Sequence, residues 1–154
     1  MRLLRTLLVF KLGVYAGVAA AAAVVKRALP SQGDASSDEL ALVAIFDGVE
    51  LESRATAFRG GSMLTWFGGI DVDLREAQLA QDAQLSVTAL LGGIAIRIPE
   101  GWRVESNVKA LAGGVDVKTI GADDPGAPTL RIDGLAALGG IAVGAKPRFA
   151  ETET

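Results

Sequence analysis

The chain has 154 residues and a net charge of −3, with dispersed basic residues, so it has room for one domain plus an appendage and gives no electrostatic case for nucleic-acid binding. It contains no cysteine and no histidine, which excludes thiol nucleophiles, disulfides, zinc sites built on those residues and imidazole acid-base chemistry. Few aromatics and 19 glycines among many small and branched apolar residues suit thin layers better than a bulky core.

Residues 6–25 are apolar or small apart from Lys11. A helix of that length, rising about 1.5 Å per residue, matches a bilayer core of about 30 Å. Arg2 and Arg5 precede it and Lys26 and Arg27 follow it. The predicted element is a single membrane anchor over residues 1–28, with Lys11 bending its stem toward the headgroups. A cleaved signal peptide with Ala20 and Ala22 at an A-x-A site is the competing reading, and a surface-lying helix a third. The lysine within the apolar run and the second basic cluster argue against cleavage. Gly13 and Gly17 stand four apart, with Ala20 and Ala21 on the same face, which marks a candidate helix-packing face for a homodimer. Counting Lys11 with Arg2 and Arg5 leans the orientation toward a domain on the extracytoplasmic side of the cell membrane.

Residues 29–39 are dense in turn formers and lack apolar periodicity, so they read as a flexible linker. The next segment, 40–145, is organised by a fivefold repeat. Its copies are IFDGVEL (45–51), WFGGIDV (66–72), LLGGIAI (90–96), LAGGVDV (111–117) and ALGGIAV (137–143), spaced 21, 24, 21 and 26 residues apart. After the second glycine comes Val49, Ile70, Ile94, Val115 or Ile141, and two residues later Leu51, Val72, Ile96, Val117 or Val143. Mostly polar residues lie between and after them, and this period of two marks a half-buried strand. Upstream, Leu42, Met63, Val87 and Val108 are expected on the same inward side as Phe46, Phe67, Leu91, Ala112 and Leu138, which directly precede the glycine pair. The diglycine is expected to make the corner through positive φ, with Asp47 tolerated in the one departing copy.

One unit cannot bury its apolar rows alone. Stacked at about 4.8 Å with parallel pairing between successive units, the rows become continuous ladders. The predicted fold is therefore all-β, a short parallel β-solenoid of about five coils behind one N-terminal helix, with an antiparallel sandwich as the structural alternative. The stretch 74–83 is expected to form a helical turn or two, 121–128 a loop, and Pro99-Glu100-Gly101 a tight return. The polar tail 146–154 is a candidate cap for the last coil.

The combination WFGGIDVDLREA (66–77), LLGGIAIRIPEGWRVES (90–106), a further Gly-Gly unit and LGGIAV (138–143) resembles the C-terminal domain of LiaF-like proteins, the cell-wall-active-antibiotic response proteins of bacteria. The resemblance spans residues 41–144. It implies a membrane-associated β-solenoid-like domain and, as in the best-understood members, control of an envelope-stress sensor kinase. It supplies no catalytic residues, and this chain has one candidate span where those regulators have several.

Glu50, Glu52, Asp71 and Asp73 fall in outward rows of two neighbouring units, a minor candidate calcium site. The simpler reading is a solvated acidic face relieved by Arg97 and Lys118 further along the row. A glycosidase-like carboxylate pair is a weaker alternative, since no aromatic platform accompanies it. Trp66, Leu90 and Leu111 share one row across three units and, with Trp102, are the candidate partner-contact residues. No unit has the strand, glycine-rich loop and helix start of a phosphate site, and no cofactor is indicated. The expected function is a non-enzymatic interaction module of the bacterial envelope, with a self-assembling scaffold as alternative.

Overall fold

The computed structural model describes residues 14–21, 23–24, 27–28 and 30–147, and the chain divides into two compact units, Met1–Pro30 and Ser31–Thr154. In the first, residues 14–21 are helical. Among the described residues no helix is long and apolar enough to cross a membrane. Gly13 and the tail from residue 148 lie outside the described residues, as do most of the expected anchor's flanking charges.

The described residues of the second unit form ten strands: β1 (Glu39–Ile45), β2 (Gly48–Glu52), β3 (Phe58–Trp66), β4 (Gly69–Asp73), β5 (Leu79–Leu90), β6 (Gly93–Pro99), β7 (Arg103–Leu111), β8 (Gly114–Lys118), β9 (Thr129–Ala137) and β10 (Gly140–Lys146). They form two five-stranded sheets, ordered β1-β3-β5-β9-β7 and β2-β4-β6-β10-β8. Every strand pairing in both sheets is parallel, which excludes the antiparallel sandwich. The five repeats are thus five strand–corner–strand units, each giving one strand to each sheet.

The register follows the aligned apolar rows. Val49, Ile70, Ile94, Ile141 and Val115 are successive partners across one sheet, and Leu51, Val72, Ile96, Val143 and Val117 form the next inward row. In the three middle units these side chains are at most 2% exposed. Burying each contributes about 1.5–3 kcal/mol. Leu42, Met63 and Val87 meet them from the other sheet within one core.

The stacking order departs from the expected succession. The fifth unit lies between the third and the fourth, so β9 and β10 separate β5 and β6 from β7 and β8. The longest return, residues 119–128, gives the chain the length to step back into that slot. Arg103 fastens the return by donating to the carbonyls of Ala122 and Asp124 at 3.2 and 3.0 Å. The expected helical turns after Leu74 are absent. A short turn at 74–78 leads straight into the 12-residue β5, whose extra residues opposite Arg59 are taken up by a bulge with Asp82 at φ 56°.

Candidate interaction surface

Each corner is made by the residue before the glycine pair. Phe46, Phe67, Leu91, Ala112 and Leu138 all have φ between 52° and 54°, a left-handed conformation that is unfavourable for bulky side chains. The glycines serve a different need. A Cβ on Gly68, Gly92, Gly139 or Gly113 would lie inside the van der Waals radius of a backbone oxygen, belonging to Asp47, Gly68, Gly92 and Gly139 respectively. Those oxygens accept hydrogen bonds of 3.0–3.1 Å from Gly69, Gly93, Gly140 and Gly114, a ladder that locks corner to corner. Asp47 replaces the first glycine only in the first unit, whose strands form one edge of each sheet.

The left-handed corner also reverses the expected direction of its side chains. Phe46, Phe67, Leu91 and Leu138 are 41–62% exposed, because positive φ swings them out of the inward alternation of their strands. Phe46 and Phe67 stack with ring centroids 5.0 Å apart. Beside them on the outer face of the first sheet runs the row Ile45, Trp66, Leu90, Ala137 and Leu111. Ile45 is buried, Trp66 and Leu90 are half-buried, Leu111 is exposed, and Trp66 lies 6.0 Å from Phe67. The fold therefore brings Trp66, Leu90 and Leu111 into one row and joins it to a corner row that sequence reasoning had placed inside. Apart from buried Ile45, the two rows together form an apolar ridge across the stack. Trp102 is not part of it; only 3% exposed, it packs in the core.

Over 108 residues the chain is 30% identical to an uncharacterized protein of Mycobacterium tuberculosis (strain CDC 1551 / Oshkosh), a match covering 70% of this chain and 54% of the relative. It is 29% identical, with the same coverage, to an uncharacterized protein of Mycobacterium tuberculosis (strain ATCC 25618 / H37Rv). The chain spans about half the length of the curated relatives it matches. No family model matches it, and neither does any solved structure.

On the second sheet the acidic residues do not converge. Asp73 is almost buried and is gripped by Arg75, which donates from Nε at 2.9 Å, from Nη2 at 2.6 Å and from its backbone N–H at 3.1 Å. Burial pushes the Asp73 carboxyl up, but the Arg75 hydrogen bonds and the positive charges of Arg75 and Arg97 outweigh it and hold it below its ordinary value of 3.8. Asp71 accepts from both terminal guanidinium nitrogens of Arg97, Nη1 and Nη2. Glu50 and Glu52 partner Asp71 and Asp73 in register, yet among the described residues no three acidic side chains are placed to hold a metal ion. The calcium candidate is therefore not assembled: two of its four carboxylates are already committed to arginines. A carboxylate held ionised by arginine is also unsuited to act as a general acid. Arg75, the residue that organises this cluster, was not singled out in the sequence, where it stands only within the DLREA stretch.

Proposed function

We propose that this protein is a membrane-anchored, non-enzymatic contact module of the bacterial envelope, whose second unit is a short parallel β-solenoid of the LiaF-like kind. The observation that carries the reading is the ridge of Phe46, Phe67, Leu91 and Leu138. Each exposes a large apolar side chain at a corner where asparagine or glycine would be conformationally cheaper. Strain and exposure recurring together favour a surface used for contact. The LiaF-like motifs support an envelope-stress role, with a membrane sensor kinase as the partner class.

The test is site-specific photocrosslinking in the bacterial host with a photoreactive phenylalanine at position 67 and, as control, at the exposed position 105 on the outer face of the first sheet. Repeated capture of one membrane protein at position 67 but not 105 is expected, and a sensor kinase would identify the regulatory form. Equal or absent products at both positions would overturn the reading. A second reading, self-assembly into a scaffold, is favoured by the fourth unit, where β7 and β8 end both sheets and Val115 and Val117 are only half-buried. Crosslinks to the protein's own chain, with filaments growing as concentration rises, would select it.

A further inference from the structure

Beside the corner row, on the outer face of the second sheet, an open trough of about 730 Å³ runs across all five units. Its floor is the row of second glycines, Gly48, Gly69, Gly93, Gly140 and Gly114. Unlike the first glycines, these are not demanded by the fold. None has the left-handed φ that excludes side chains, and a Cβ on any of them would meet nothing closer than 3.8 Å. Glycine within a strand is destabilising relative to alanine, and where packing does not require it, it often marks close approach by a ligand or another backbone. Five such positions keep the floor bare in every unit. Across the floor from the corners runs the row Glu50, Asp71, Ala95, Ala142 and Asp116, in which Asp71 is already paired with Arg97.

We infer that this trough receives a cationic amphipathic α-helix of a partner protein, an assignment that rests on the contact-module reading and names its partner. Five strands about 4.8 Å apart give a floor roughly 19 Å long, which about 13 helical residues span. Roughly 7 Å of extended chain separates the glycine row from the carboxylate row, so one face of a single helix, about 10–12 Å in diameter, rests on the floor with its flank against the carboxylates. The strands below already use their backbone groups on one another, so the floor offers an occupant apolar contact and no hydrogen-bonding edge. A helix, whose backbone bonds are internal, loses nothing there. Charge selects the rim. Glu50 has no ion pair among the described residues, and the Asp116–Lys118 pair is exposed enough, at 62% and 76%, to be exchanged at little cost. The same carboxylates repel an anionic lipid surface.

The full-length chain is titrated against a fluorescein-labelled 14-residue peptide of leucine and lysine, with its leucines on one helical face, and against the same peptide carrying glutamate for lysine. Saturable binding of the lysine peptide, at least tenfold tighter than the glutamate peptide, is expected. The double variant Gly93→Val, Gly140→Val should weaken it at least tenfold while its urea midpoint stays level or rises. Glu50→Gln should weaken it two- to fivefold and reduce its salt sensitivity. Equal binding of the two peptides, or binding untouched by filling the floor, overturns the helix; displacement by palmitate alongside equal peptide binding would assign the trough to a lipid chain instead. If position 67 crosslinks a partner while neither peptide binds, the helix falls and the contact surface stands.

Discussion

Phe46 and Phe67 lie ring over ring, 5.0 Å between centroids and within 5° of parallel, on the corners of two adjacent units and half in solvent. Such a pair adds about 0.5–1.5 kcal/mol beyond area burial, while each left-handed bulky residue is strained by about 1–2 kcal/mol. Phe67→Asn, which loses the stack but suits positive φ, should therefore leave stability within about 1 kcal/mol of the parent. Urea unfolding checks that half; loss of partner capture by a crosslinker moved to Phe46 checks the other. A loss of several kcal/mol would mean that the pair is structural and not a contact surface.

The two glycines of one corner should respond in opposite directions. Gly92→Ala drives a methyl group into the Gly68 carbonyl and toward the Thr65 hydroxyl and is expected to cost about 3 kcal/mol or more, in the range of severe overpacking. Gly93→Ala meets nothing closer than 3.9 Å and should stabilise by about 0.5–1 kcal/mol. Denaturant midpoints of the two variants decide it.

Thr65 carries a buried hydroxyl with no hydrogen-bond partner among the described residues. It stands in an inward row whose neighbours are Ala44 and Ala89. Removing an unsatisfied buried polar atom without changing side-chain shape relieves its desolvation. Thr65→Val should therefore raise the unfolding free energy by about 1 kcal/mol. A drop of the same size would reveal a partner for the hydroxyl.

Asp73 makes stability depend on acid. Because its pKa in the folded chain is lowered by Arg75, its contribution is complete above the ordinary value of 3.8 and is lost as pH falls through the folded value. Asp73→Asn should cost about 2 kcal/mol at neutral pH, since it leaves a partly buried guanidinium short of its counter-charge. The gap between the two proteins should close below about pH 3.8. Unfolding curves between pH 2 and 7 test the sign; a gap that persists at pH 2 would assign the loss to packing.

What sequence could reveal here was set by periodicity. The rows Val49–Ile70–Ile94–Ile141–Val115 and Leu51–Val72–Ile96–Val143–Val117 are legible because an inward strand position must be apolar in every copy. The outward corner was not, because Phe67 and Leu91 look like core residues unless their φ is known. That is also why the glycines were given the conformational role that their neighbours hold. Asp47 makes sense only once its unit is known to end the stack. Trp102 looked like a surface anchor because aromatic identity carries no direction. The pairing of Asp73 with Arg75 depends on a turn too short to leave a periodic trace. The exchange of the last two units was invisible, since all copies share one register and differ only in the length of the returns.

That exchange has a consequence for how the protein is made. As the chain leaves the ribosome, the first three units can add one to the next in the order of synthesis. The fourth lacks its native neighbours at that point, because β7 pairs only with β9 and β8 only with β10 among the described strands. Until residues 129–146 have been synthesised, the edges of β5 and β6 are open to the fourth unit in the same register, a placement that the fifth must displace to reach its own slot. Non-local pairing of this kind slows folding and exposes unpaired edges meanwhile. A chain that stops short of Thr129 would lack the unit that stands between the third and the fourth, so the last strands set the final order of the stack.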